Sequence, residues 1–381
     1  MLKRQLIAAL CITLLIINIP FCANAEVSAQ SAILTELTSG RVLYSKNPDT
    51  RLPMASTTKI MTALVALEKG ADTLDEISEI SDAAAGVEGS SMYLEKGEKM
   101  TLRELLYGLM LPSGNDAAVA IAERIGGSVD DFVNMMNQKA EQLGLTNTHF
   151  ANPNGLPDES HYSSARDMAK MTESAMKNEA FAEIVKSKTY KIAGEGKAYP
   201  RVLTNHNKLL KMYDGCIGVK TGFTKAAGRC LVSSAERDGM TLVCVTLNAP
   251  DDWNDHTFML NYGFENYKLQ KVLDSTIPIS AAEVNGAYEA AVPIYSERDF
   301  FFPLKEGEDI KTVLDVPSHT DAPLAAGQEV GKIRLEGTDL NNTEIPLVVH
   351  SDVNEISKVK TLGEKLAESI KTFFAEWAEI L

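Results

Sequence analysis

The chain has 381 residues, 45% of them hydrophobic and 23% charged, with 52 acidic against 37 basic side chains and a formal net charge of −15. This balance belongs to an ordinary globular protein and excludes disordered, collagen-like and polytopic membrane chains; the excess negative charge repels phosphate backbones and argues against nucleic acid as a partner. The length accommodates two or three domains, each large enough for its own core.

Lys3 and Arg4, an apolar run from Leu6 to Phe21 and the small residues of Ala23-Asn24-Ala25 read as an export signal over residues 1–25, with cleavage before Glu26. The run is shorter than the roughly 20 apolar residues that span a bilayer. Cys22 follows the bulky Phe21, so lipid attachment is not expected. With Cys11 and Cys22 in the signal, Cys216, Cys230 and Cys244 remain. They are an odd number in a chain large enough to fold without staples, and are expected as thiols.

From Ala32 to Ser45 the sequence alternates like two strands around Ser39-Gly40, a hairpin signal. A helix is expected from about Ser56, and because Ile60 to Leu67 is apolar on nearly every side it should run through a domain centre. Thr101 to Met110, Asp116 to Ile125, Ser128 to Leu143 and Ser163 to Met176 read as amphipathic helices, several opened by Ser, Thr or Asp caps. The period then changes: Cys216 to Val219, Gly228 to Ala235 and Thr241 to Leu247 read as strands, the last two joined by Arg237-Asp238-Gly239. Strands, then helices, then strands describe an α+β domain, residues 26–269, with helices covering an antiparallel sheet. Residues 270–355 read as a small all-β domain, with Glu329 to Leu335 and Glu344 to His350 alternating around Asn341-Asn342. Over residues 356–381, Val359, Leu362, Leu366, Ile370, Phe373, Trp377, Ile380 and Leu381 form one helical stripe opposite a face of Lys and Glu. Such a helix either packs on its own domain or lies in a membrane interface, where four Lys and four Glu cancel and apolar burial would hold it. No internal repeat or low-complexity tract is visible.

The six histidines form no metal-ligand spacing, and no Cys pair brackets a zinc. There is no Gly-x-Ser-x-Gly elbow, no P-loop and no Gly-x-Gly-x-x-Gly. No metal or cofactor is therefore expected, and serine chemistry would have to run without histidine. Three short motifs can support it. In Ser56-Thr57-Thr58-Lys59 one helical turn brings the Lys59 amine to the Ser56 hydroxyl. The helix start favours an oxyanion there, and apolar surroundings would lower the lysine pKa toward a basic amine. Alone this tetrad is weak, since about one or two copies arise by chance in such a chain. Ser174 with Lys177 and Ser357 with Lys360 repeat it on exposed-looking helices. Ser113-Gly114-Asn115 and Lys220-Thr221-Gly222 follow in order, and finding both after Ser56 by chance is roughly a one-in-a-hundred event.

Together the three look like the active-site motifs of penicillin-binding proteins and serine β-lactamases. The chain further resembles the low-molecular-weight D-alanyl-D-alanine carboxypeptidases in Pro53-Met54-Ala55-Ser56-Thr57-Thr58-Lys59, Asn152-Pro153-Asn154-Gly155-Leu156 and Ser163-Ser164-Ala165-Arg166-Asp167-Met168, and in its layout from end to end. The resemblance implies a transpeptidase-like catalytic domain followed by the β domain and a membrane-associating helix, on the outer face of the cytoplasmic membrane. It implies Ser56 as nucleophile, Lys59 as base and Ser113 as proton relay. Asn115 would bind the substrate backbone, Lys220 and Thr221 the terminal carboxylate, and Gly222 would let substrate approach the strand. The N–H groups of Ser56 and Phe223 would form the oxyanion hole. The implied partners are peptidoglycan pentapeptides ending in D-Ala-D-Ala, β-lactams and the membrane surface. Phe223 and Asn154 stand where some members carry His. A serine β-lactamase is the enzymatic alternative, although no Glu-x-x-Leu-Asn element follows Ser113, and a penicillin sensor with little turnover is the non-enzymatic one.

Overall fold

The computed structural model describes residues 27–193, 200–337, 339–340, 343–356, 366–367 and 369–371. The export signal and its cleavage point, the Asn341-Asn342 turn, the Ser357-to-Lys360 tetrad and most of the terminal stripe lie outside the described residues. Of that stripe Leu366 and Ile370 are described; both are helical and exposed. No helix among the described residues is long and apolar enough to cross a membrane.

The chain packs as two units that divide between Glu265 and Asn266. In the first, β1 (Ser31–Glu36) and β2 (Val42–Lys46) form the hairpin expected around Ser39-Gly40. The Glu36 carboxylate accepts the Thr38 and Ser39 N–H groups and closes the turn. Three further strands, β3 (Cys216–Thr224), β4 (Gly228–Arg237) and β5 (Met240–Leu247), complete an antiparallel sheet in the order β2-β1-β5-β4-β3. The turn between β4 and β5 places Asp238 at φ 49° and Gly239 at φ 78°, the two left-handed residues a tight hairpin needs. β3 runs five residues beyond the expected Val219 and carries the whole third motif. Among the described residues it is an edge strand of this sheet, paired only with β4, Thr221 opposite Leu231 and Phe223 opposite Arg229.

The helical part is built around α1 (Lys59–Lys69), buried from Lys59 through Leu67 as its all-round apolarity requires. It contacts α2 (Leu102–Met110), α3 (Asn115–Gly126), α4 (Val129–Gln142), α5 (Ala165–Met176) and α6 (Glu179–Lys186). The starts of α2, α4, α5 and α6 are set by side chains that satisfy free N–H groups. Thr101 and Glu104 form a reciprocal capping box, Ser128 accepts from Asp131, Asn178 accepts from Phe181, and Ser164, not Ser163, accepts from Asp167. Ser163 instead bridges to Leu52.

Two helices not anticipated from the sequence are α6, despite its Asn178 cap and its buried face of Phe181, Ile184 and Val185, and α7 (Asp252–Asn266). The buried side of α7 includes Asp252, Asp255 and His256, so its apolar period is broken. Those groups are satisfied by Arg229, by Ser28 and the Ala29 N–H, and by Ser233 and Thr246.

From Tyr267 to Val348 the second unit is built of β-strands. Strand Tyr267–Leu273 pairs with Phe300–Lys305, which draws the division four residues ahead of the expected Leu269 boundary. Six strands form its larger sheet, with Glu329–Glu336 and Thr343–Val348 antiparallel as their alternation suggests. Ile294, Phe302, Ile333, Leu335, Ile345 and Leu347 make its core.

Candidate active site

The turn that carries Ser56 is built before α1 begins. Residues Ala55–Thr58 form a 3-10 helix, not the first turn of an α-helix. In that tighter geometry side chains three residues apart eclipse, which stacks Lys59 on Ser56. The chain enters the turn through Ala55 at φ 48°, a strained angle for a residue with a Cβ. Opposite Ala55 lies Gly155 at φ 88°, where a Cβ would collide with the Ala55 carbonyl. Thr57 Oγ1 donates to Met54 O at 2.6 Å and Thr58 Oγ1 to Ala55 O at 2.7 Å, fixing the turn from inside.

Lys59 is fully buried, and its Nζ has three neighbours: Asn115 Oδ1 at 2.7 Å, Asn154 O at 2.7 Å and Ser56 Oγ at 3.0 Å. Burial pushes its pKa well below the ordinary lysine value, and the charge of Lys220 pushes the same way, partly offset by Asp116. Asn115 opens α3 and is held by its own Nδ2 donating to Glu88 O and its N–H donating to Ser90 O, each at 2.7 Å. Its Oδ1 therefore faces the amine. Ser113, buried at φ 67°, turns the chain from α2 into α3. Asp116, one residue past the motif, accepts the Met92 and Leu94 N–H groups and the Ser91 hydroxyl, and so pins residues 91–94 to the start of α3. An acidic residue in the first turn of a helix was the signal for that role.

Lys220 is buried on β3, with Nζ donating to Thr221 O at 2.9 Å, and burial lowers its pKa to about 7. The charge on Lys220 thus favours the neutral form of Lys59. At Gly222 a Cβ would lie 3.1 Å from both Ser56 N and Thr57 N, so the absence of a side chain lets β3 lie close to the turn that carries Ser56. Phe223 is 66% exposed.

An open cleft of about 330 Å³ joins these elements, lined by Ser56, Ser113, Thr221, Phe223, Arg229 and Trp253 among others. Arg229 was not singled out by sequence. It sits opposite Phe223 on β4, and Asp252 Oδ1 holds its Nε at 2.9 Å and Nη2 at 2.7 Å. His206 lines the same cleft and has its pKa lowered by burial and by Lys220.

Other candidates stand apart. Ser174 and Lys177 lie at the end of α5, with Lys177 exposed. Arg166 pairs with Asp49, and Asp167 accepts from Asn147 N and Thr148 Oγ1. Cys216, Cys230 and Cys244 are free thiols, the latter two buried. Asn154 contributes its main-chain carbonyl to Lys59, so the histidine of some relatives is not required for that contact.

With the geometry in place, the family can be read by comparison. The family model for D-alanyl-D-alanine carboxypeptidase matches residues 20–251, more than half of the chain. The chain belongs to the D-alanyl-D-alanine carboxypeptidase family. It is a serine-type hydrolase of that family. A second match, the C-terminal domain of penicillin-binding protein 5, covers residues 264–355. The chain is 36% identical over 359 residues to D-alanyl-D-alanine carboxypeptidase DacF of Bacillus subtilis (strain 168), covering 90% of each chain. It is similar to the crystal structure of penicillin-binding protein 5 from Haemophilus influenzae, at 32% identity with a TM-score of 0.74, over 87% of this chain and 98% of that one. It is also similar to the DD-transpeptidase of Streptomyces K15, at 39% identity with a TM-score of 0.60, over 63% of this chain and 98% of that one.

Proposed function

We propose that this D-alanyl-D-alanine carboxypeptidase removes the terminal D-alanine from peptidoglycan pentapeptides through an acyl-enzyme on Ser56, and that β-lactams acylate the same hydroxyl. The observation that carries the mechanism is the set of neighbours around Lys59 Nζ. Two of them, Asn115 Oδ1 and Asn154 O, can only accept. A neutral amine spends its two N–H groups on these, and its remaining lone pair then faces the Ser56 hydroxyl 3.0 Å away. Burial pushes the amine toward its neutral form. The pair is therefore set for proton transfer from Ser56 Oγ as it attacks the carbonyl of the penultimate D-alanine.

Negative charge developing on that carbonyl oxygen would be met by the Ser56 and Phe223 N–H groups. Ser113, which lines the cleft, would relay a proton to the departing amine, and water would then release the acyl group. An extended peptide can lie along the unpaired side of β3, an edge strand that offers main-chain donors and acceptors. Its terminal carboxylate would meet Thr221 and the Lys220 cation, with the Arg229 guanidinium adding positive charge nearby. We read the protein as exported, with the terminal stripe of residues 356–381 resting on the outer face of the cytoplasmic membrane.

Release of free D-alanine from a diacetyl-Lys-D-Ala-D-Ala peptide, run beside Ser56→Ala and a benzylpenicillin labelling gel, tests the reading. Turnover and label should both vanish in the variant, turnover by at least about 10³-fold. Labelling of the parent without turnover would move the protein to a penicillin sensor, and neither activity would refute the assignment of the three motifs.

A further inference from the structure

His161 belongs to none of the three motifs, yet it is wired to the nucleophile turn. It is 3% exposed and lies edge-on to Phe150, with ring centroids 5.9 Å apart. The Ala151 N–H donates to its Nδ1 at 3.0 Å, so Nδ1 carries no proton and the proton of the neutral ring must be on Nε2. Nε2 lies 2.7 Å from Thr58 Oγ1. The Thr58 hydroxyl spends its own hydrogen on Ala55 O. One directed chain thus runs from the Ala151 N–H through the imidazole and Thr58 to the carbonyl of Ala55, the strained residue that precedes Ser56. The segment that supplies it, residues 151–161, also supplies the Asn154 carbonyl to Lys59 and the Pro153 carbonyl to Thr62.

We infer that His161 is a positioning residue for the nucleophile turn, acting as a neutral imidazole protonated on Nε2 and reaching Ser56 through Thr58 and Ala55. The inference rests on the reading of Ser56 as nucleophile. Burial supports the neutral ring, lowering its pKa to about 4 with smaller contributions from His149 and Lys59 in the same direction and from Asp158 against it. A second donor at Nδ1 would face the Ala151 N–H and break the chain at its first link. A core histidine that merely filled space would need neither this tautomer nor a hydroxyl that hands the bond onward.

The test compares the full chain with His161→Leu, His161→Gln, Thr58→Val and the double variant His161→Leu/Thr58→Val. Benzylpenicillin acylation rates, kcat and KM for D-alanine release, and ¹⁵N spectra of the labelled histidine rings are the readouts. His161→Leu is expected to slow acylation and kcat about tenfold with KM within about twofold, while Gln, whose amide can donate to Thr58, restores the rate to within about threefold of the parent. The double variant should be no slower than the slower single one, because both break one chain. At pH 7 the His161 ring should show a bare Nδ1 and a protonated Nε2. A folded Leu variant at parental rate, penalties that multiply in the double variant, or a proton on Nδ1 would each overturn the inference. If the Leu variant does not fold, the Gln and Val variants and the ring spectra decide. A parent that takes no penicillin label refutes the nucleophile reading, whereas a labelled parent with an equally fast Leu variant refutes this inference alone.

Discussion

Two buried lysines carry opposite tasks in the proposed mechanism. There Lys59 must be neutral to take a proton and Lys220 charged to hold a carboxylate, and both have pKa values lowered by burial. For Lys220 the value of about 7 sets a pH window. The cation is present below it and is lost as pH rises through it, so kcat/KM for D-alanine release should fall as pH passes upward through about 7. Lys220→Arg, whose charge persists, should move that falling limb beyond pH 9. The same shift has a stability sign. A buried lysine with a lowered pKa binds fewer protons folded than unfolded between about pH 7 and 10.5, so its cost to the fold is largest below pH 7 and fades as pH rises. Lys220→Met should therefore abolish turnover yet raise the urea midpoint most at pH 6, and a parallel titration of both proteins measures it.

At the level of elements, the site depends on how closely a strand and a loop can approach one turn. Gly222 and Gly155 are the contact points, both facing the main chain of Ala55–Thr58. Gly222→Ala puts a methyl 3.1 Å from the Ser56 and Thr57 N–H groups, so it should slow penicillin acylation more than it lowers the melting temperature. Gly155→Ala combines φ 88° with a collision against Ala55 O and should cost roughly 2–4 kcal/mol in urea unfolding. Gly239 is the control: its φ is 78° but nothing lies within 4 Å of the added carbon, so Gly239→Asn should cost no more than about 1 kcal/mol. The contrast separates backbone conformation from crowding at the nucleophile.

For the whole molecule, every residue assigned to the reaction falls in the unit ending at Glu265, and the second unit contributes none of them. Deleting Val359 to Leu381 should leave kcat/KM for the soluble peptide unchanged while abolishing sedimentation with phospholipid vesicles. Retained sedimentation would refute the interfacial helix. Because Lys and Glu on the polar face cancel, raising the salt concentration should release little of the intact protein, in contrast to a polybasic anchor.

Local patterns in the sequence determined a good deal. Ser39-Gly40 and Asp238-Gly239 mark their hairpins because only a few residues accept left-handed angles, and the all-round apolar Ile60 to Leu67 had to become a central helix because no face of it suits water. The three motifs were readable because each lies within one short stretch of chain. Tertiary structure decided the rest. Lys59 meets Asn115 across 56 positions and the Asn154 carbonyl across 95, and no period along one element reports such a meeting. The 3-10 turn, the close approach of Gly222 to Ser56, the Arg229–Asp252 pair and the chain through His161 also arise between elements. So does the protonation of the lysines, since desolvation belongs to the packed neighbourhood of an amine and not to the residues beside it in sequence.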